Sequence, residues 1–189
     1  MATLRSISAG AVLLLALLPA AGAAEPPRKA PDYTINLLDG KTLQLSQYKG
    51  HAVVMAFILT TCSHCQKTVG LLSKDQQEFG PRGLQVLASV IERGGQNALP
   101  LFLRNFKPPF PIGYNEGDTA LTFMQHPASK VPFMPLVAFI DRAGNIRAQY
   151  EGDDPFFGDQ IEQNLRREIE ALLPPGAPAK KSTAAPKNR

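Results

Sequence analysis

Eight apolar or small residues in a row, 52–59, lead within two residues into Cys62-Ser63-His64-Cys65. The run is too short for a typical buried helix and fits a strand buried on both faces. From Ser63 the period changes. Cys65, Val69, Leu72 and Phe79 follow helical spacing, with Gln76 polar on the same stripe, and Gly80-Pro81 ends the pattern. The only two cysteines of the chain therefore stand where a strand becomes a helix. At i and i+3 on one helical face their Cα atoms lie roughly 5–6 Å apart, within the range a disulfide prefers. The sulfurs can bond or separate with little backbone movement, which suits a reversible redox pair.

The remaining segments supply a sheet for that junction. In residues 31–50 apolar positions alternate on both sides of Asp39-Gly40, a hairpin turn signal. A second apolar strand is expected at 84–91, and Gly94-Gly95 separates it from a helix at 97–106. Pro108-Pro109-Phe110-Pro111 must be extended and leads into a short strand at 112–114. Asp118 is expected to cap a short helix through Met124. Residues 136–140 read as a strand that turns at 142–145 and pairs with 146–151. Asp159 and Glu162 form a capping-box pattern. It precedes a last helix whose apolar face is Ile161, Leu165, Ile169 and Leu172, stopped by Pro174. The order predicts an α/β fold: a central mixed sheet flanked by helices, with an N-terminal β-hairpin.

Both ends read differently from this domain. Residues 1–24 carry one charge, Arg5, then an apolar stretch and a small-residue end with Ala21-Gly22-Ala23, the pattern of a secretory signal. The alternative is an uncleaved membrane anchor, since about 18 uncharged residues can just span a bilayer. Export to the periplasm, without stable membrane insertion once the signal is removed, is the expectation. Residues 25–30 are expected to be a short linker, 31–173 the folded domain, and 174–189 a disordered basic Pro/Ala/Lys tail. The tail also explains the charge. The whole chain is +4, but residues 31–173 hold 13 Lys/Arg against 15 Asp/Glu, about −2. The basic balance is thus no sign of a nucleic-acid partner.

In an exported domain of this size two cysteines are too few for a disulfide scaffold. A bridge across two intervening residues also removes little unfolded-state entropy. A closed zinc site needs about four ligands; here there is one cysteine pair, and His51, His64 and His126 are scattered. Haem attachment needs a histidine after the second cysteine, where Gln66 stands. At the start of a helix, unpaired amides and the positive dipole end favour negative charge on the sulfur of Cys62. His64 can add a further contact to that sulfur, or be a solvated spacer. Cys65, one turn in, is expected to be the more buried, resolving thiol.

These residues resemble the thioredoxin superfamily, in its TlpA/ResA-like branch of redoxin and AhpC/TSA-like domains. Pro31-Asp32-Tyr33 with Leu38-Asp39-Gly40-Lys41 is similar to that branch's opening hairpin. Cys62–Cys65 matches its active-site motif, and Met134-Pro135 with the strand and hairpin that follow matches its cis-proline segment. The resemblance implies a redox-active Cys62–Cys65 disulfide, a cis Pro135 packed beside it, and a Met134 backbone that receives an extended substrate peptide. It implies no dissociable cofactor, protein thiol or disulfide substrates, a redox partner protein, and a setting in cytochrome or oxidase maturation. The sequence departs from the branch in having no tryptophan, Thr61 before Cys62, Ser-His between the cysteines, and Thr68 where many members carry a glutamate. A histidine just before the second cysteine is instead similar to the DsbA group. No acidic residue is identifiable as the proton shuttle, and the direction of electron flow stays open.

The expected function is a periplasmic thiol–disulfide oxidoreductase with Cys62 attacking, Cys65 resolving, His64 tuning and Pro135 with Met134 seating the partner. The first alternative is a copper-binding maturation chaperone, in which the two thiols and His126 or Met134 hold Cu(I). A peroxiredoxin-like peroxidase would need a threonine at position 59, which is Leu59. A non-catalytic binding module is the remaining reading. Glu92-Arg93-Gly94-Gly95 looks like a loop at a strand end, where open α/β folds place ligands; it can shape substrate access, but the expected reading is a plain connection.

Overall fold

A computed structural model describes residues 25–174. The expected export signal, and the expected tail from residue 175 on, lie outside them. Eight strands form one sheet: β1 (Arg28–Lys29), β2 (Thr34–Asn36), β3 (Thr42–Gln44), β4 (Ala52–Ile58), β5 (Leu84–Val90), β6 (Ile112–Tyr114), β7 (Leu136–Ile140) and β8 (Asn145–Tyr150). The strand order is β1-β8-β7-β4-β5-β6-β2-β3. The helices are α1 (Ser63–Phe79), α2 (Gly95–Phe106), α3 (Gly117–Met124) and α4 (Ile161–Leu172). β4 runs parallel to β5 and antiparallel to β7, so the sheet is mixed.

All seven residues of β4 are buried, because alternate side chains enter two different cores. Val54, Ala56 and Ile58 meet Cys65, Val69, Leu72 and Phe79 of α1, together with Leu165 and Ile169 of α4. Val53, Met55 and Phe57 meet Tyr33, Phe123 and Met124 on the other face, where α3 lies. The rings of Tyr33, Phe57 and Phe123 pack at 5.1–5.7 Å between centroids. Each fully buried side chain of this size contributes about 1.5–3 kcal/mol of transfer free energy. The continuous apolar run thus follows from covering both faces of one strand, and it fixes where the strand ends and the site begins.

Gln76 is polar on the apolar stripe of α1 because it is tied to β5. Its Oε1 accepts the Val86 N–H at 2.6 Å and its Nε2 donates to the Leu84 carbonyl at 3.3 Å. A half-buried amide satisfied at both ends carries little desolvation penalty.

Several boundaries differ from the sequence expectation. Residues 25–30 are not only a linker: Arg28 and Lys29 pair with Ile146 and Asn145 as an edge strand. Arg28 secures this strand by donating from Nη2 to the Phe123 carbonyl and to Gln149, both at 2.8 Å. A two-residue strand is too short to show a period. α2 starts at Gly95, two residues early, because Gly94 takes a left-handed φ of 74° that turns the chain into the helix. Glu116 rather than Asp118 is the residue before α3, and Asp118 sits in its first turn. The Asp159/Glu162 capping box does not form, since α4 starts after Gln160 without a side-chain cap.

Candidate active site

β4 ends at Ile58, and after three intervening residues Cys62 caps α1 with an extended backbone, φ −79° and ψ 118°. A side-chain acceptor at this position satisfies one of the unpaired amides at a helix start. Here the acceptor is sulfur: Cys62 Sγ accepts the Cys65 N–H at 3.3 Å. Both cysteines are free thiols, Cys62 half-buried and Cys65 fully buried. Cys65 Sγ accepts the Leu59 N–H at 3.5 Å. Burial pushes the Cys65 thiol well above its usual range, and the neighbouring Cys62 sulfur and the Glu92 carboxylate add to that direction. One thiol is thus reachable and the other held protonated behind it.

The Met134 carbonyl lies 3.9 Å from Cys62 Sγ, placed to accept from the thiol. The peptide bond between Met134 and Pro135 is cis, and Pro135 leads directly into β7. Gly152 sits against this segment. Its N–H donates to the Phe133 carbonyl at 2.8 Å, and a Cβ built on it would stand 2.3 Å from the Met134 carbonyl oxygen. Only glycine leaves room for that approach. Val131 and Phe133, 78% and 54% exposed, are apolar side chains just ahead of Met134 in the chain.

The sequence-derived candidates divide here. Cys62, Cys65, Met134 and Pro135 come together from chain positions some 70 residues apart. His64 is exposed, and its ring makes no hydrogen bond among the described residues. It borders a hollow of about 180 Å³ with Lys67, Thr68, Phe157 and Ile161. Thr68 is fully buried, and its hydroxyl donates to the His64 carbonyl at 2.9 Å. His126 is committed elsewhere, with Nδ1 2.7 Å from Glu151 and Nε2 3.1 Å from the Lys130 carbonyl. Both of its ring nitrogens thus have partners, and it is the Met134 carbonyl that stands within hydrogen-bond reach of Cys62. Among the described residues no three His, Cys, Asp or Glu side chains are grouped to hold a metal.

Glu92 is the residue whose part the sequence did not show, its loop being read as a plain connection. It follows β5, and its carboxylate grips the turn between β4 and α1. Oε2 accepts the Thr60 N–H at 2.7 Å, and Oε1 accepts the Thr60 hydroxyl. Gln66 completes the hold by donating to the Thr60 carbonyl at 2.8 Å. The available signal was an acidic residue at a strand end, where open α/β sheets place their sites.

A mixed sheet with helices on both faces, carrying a dithiol at a strand–helix junction beside an X-Pro turn, defines a thioredoxin-superfamily protein of the TlpA/ResA-like kind. The AhpC/TSA family model matches residues 26–149, and the chain belongs to that family. It is 22% identical over 140 residues to the thiol-disulfide oxidoreductase ResA of Bacillus thuringiensis subsp. konkukian, covering 74% of this chain and 76% of that one. Identity to ResA of Geobacillus kaustophilus is 24% over 147 residues, covering 77% and 76%. A thiol:disulfide interchange protein of the thioredoxin family from Chlorobium tepidum TLS superposes with a TM-score of 0.64 at 18% identity, over 79% of this chain and 99% of that one. A secreted Mycobacterium tuberculosis disulfide oxidoreductase, homologous to E. coli DsbE, does so with 0.58 at 16% identity, over 74% and 96%.

Proposed function

We propose that this protein is a thiol–disulfide oxidoreductase that exchanges the Cys62–Cys65 dithiol with protein disulfides outside the cytoplasm. The observation that carries the proposal is the asymmetry of the pair. Cys62 Sγ is reachable at a helix start beside the Met134 carbonyl, while Cys65 is buried one turn behind it.

In the reducing direction the Cys62 thiolate attacks one sulfur of a substrate disulfide. A Cys62–substrate S–S bond forms, the substrate S–S bond breaks, and the second substrate sulfur leaves as a thiolate. Cys65 then loses its proton and attacks the Cys62 sulfur. The Cys62–Cys65 disulfide closes, the first substrate sulfur leaves, and two electrons have passed to the substrate. The oxidising direction is the same sequence reversed. The Met134 backbone beside the sulfur, with the exposed Val131 and Phe133 just ahead of it in the chain, offers an extended peptide a surface. No step calls for a dissociable cofactor, and a dithiol protein would restore the pair. The ResA and DsbE relatives and the expected export signal support an extracytoplasmic site of action, and cytochrome or oxidase maturation is a setting consistent with the ResA-like branch.

The test is dithiol exchange with a protein disulfide. Cys62→Ser should abolish it, and Cys65→Ser should accumulate the mixed disulfide through Cys62. Full exchange by Cys62→Ser would overturn the proposal.

A further inference from the structure

Cys65 must give up a proton before it can attack, yet it lies fully buried with a single backbone donor, the Leu59 N–H. What holds that donor in place is the turn of residues 59–61. The next amide along, that of Thr60, is bound by Glu92 from the neighbouring strand's end, and the Thr60 hydroxyl is bound by the same carboxylate. Thr60 is itself buried. A carboxylate that accepts two hydrogen bonds from one buried residue is fixed in position, so its charge is fixed too.

We propose that Glu92 is the positioning residue of the dithiol: clamped on Thr60, it sets the turn that holds Cys65 and places a fixed negative charge behind the resolving sulfur. This deepens the oxidoreductase reading and rests on it. The titratable groups that act on Cys65 are two, Cys62 from the start of α1 and Glu92 from the end of β5. The rest of the core cluster that holds Cys65, including Ile58, Val69 and Val137, is apolar. Burial is the larger cause of the raised Cys65 thiol, and the Glu92 charge adds in the same direction. The consequence is a division of labour. Cys65 stays a thiol while Cys62 engages the substrate, so the mixed disulfide survives long enough to be productive. Electrons and protons balance as in the exchange above, and Glu92 adds no new reactant.

Two variants separate charge from geometry. Glu92→Gln removes the charge and keeps an amide that can still bond Thr60. Thr60→Val keeps the charge and removes the hydroxyl contact. Both are made in the full chain with Cys62→Ser, so that alkylation rate against pH reports Cys65 alone. Glu92→Gln should move that profile down by about half a pH unit or more, roughly a threefold rise in thiolate fraction, and Thr60→Val should leave it within about 0.2 units. With Cys62 restored, Glu92→Gln should shorten the lifetime of the mixed disulfide. Should Glu92→Gln fail to fold, Glu92→Ala is read against Glu92→Asp, which keeps the charge but shortens the reach to Thr60: a shift in Glu92→Ala alone supports the charge assignment, and equal shifts overturn it. An unmoved profile in the Glu92 variant overturns the charge assignment, and equal shifts in both variants reduce Glu92 to a purely geometric part and overturn it as well. Absence of any exchange by the wild-type protein would instead defeat the oxidoreductase reading, a separate outcome.

Discussion

Gly152→Ala perturbs the active site without touching a sulfur. The added Cβ would stand 2.3 Å from the Met134 carbonyl oxygen, 2.5 Å from its carbon and 3.0 Å from the Met134 nitrogen. These are backbone atoms, so no side chain can swing away. Bringing the closest pair out to about 3 Å needs a displacement of about 0.7 Å, and the Gly152–Phe133 hydrogen bond at 2.8 Å holds the two strands of chain together against it. Overpacking of this kind costs about 1–3 kcal/mol, each kcal/mol lowering Tm by about 2–4 °C in a domain of this size. The same displacement moves the Met134 carbonyl from its place 3.9 Å from Cys62 Sγ. Misplacement of about 1 Å costs roughly 100-fold in a positioned reaction, so exchange with a protein disulfide should fall about 10- to 100-fold. A small-molecule disulfide needs only the sulfur and should lose no more than about threefold. The assay is the rate of reduction of each disulfide by the pre-reduced protein, with Tm by circular dichroism. Wild-type exchange with the protein disulfide at an unchanged Tm would refute the argument that Gly152 shapes the substrate seat.

Two further outcomes concern pH. Asp75 lies buried on the inner side of α1, and burial raises its carboxyl to about 6, against a partial offset from Arg166. The native state then binds the proton more tightly than the unfolded chain, so this group's contribution falls as pH rises from about 4 to 6 and the full penalty stands above 6. Asp75→Asn should therefore stabilise the protein by about 2 kcal/mol at pH 7.5 and by almost nothing at pH 4, read by urea denaturation; equal stability at both pH values would contradict it. His126 depends on pH in the same direction, but as a stabilising contact. Burial alone would lower its imidazole, but the hydrogen bonds to Glu151 and to the Lys130 carbonyl, with the Glu151 charge, outweigh that and raise it above its ordinary value. Its stabilisation is present in full below about 6.5 and is lost as pH rises through the raised folded value. His126→Gln should cost about 1 kcal/mol at pH 6 and progressively less on the alkaline side; a pH-independent loss would show that the charged ring is not the clip.

The site was partly legible because some of its signals are local. Cys62 and Cys65 lie three residues apart, and the change from an unbroken apolar run to helical spacing places them at a strand–helix junction whatever the rest of the chain does. Met134-Pro135 could be attached to them only through a family resemblance, since nothing in residues 131–136 indicates which strand lies alongside. Glu92 was visible as an acid after a strand and read as a connection. Its partner Thr60 is 32 positions away, and no period or motif links the two. His64 shows the converse. Its place between the cysteines suggested an electrostatic part, but the geometry of the first helical turn leaves its ring exposed, beside the hollow formed with α4.

By itself the sequence determined the elements whose cause is short-range: the doubly buried β4, the amphipathic α1 and α4, the hairpin at Asp39-Gly40, and the placing of Cys62 before a helix start. Burial of alternate side chains and unpaired terminal amides act over a few residues, so a few residues reveal them. The tertiary structure alone decided what surrounds the sulfurs. Strand order β7-β4-β5 brings Met134 to Cys62 from one side and Glu92 to Thr60 from the other. Gly152 is small because β8 returns against Met134. These are contacts of register between distant segments, and their free energy depends on the whole sheet being in place.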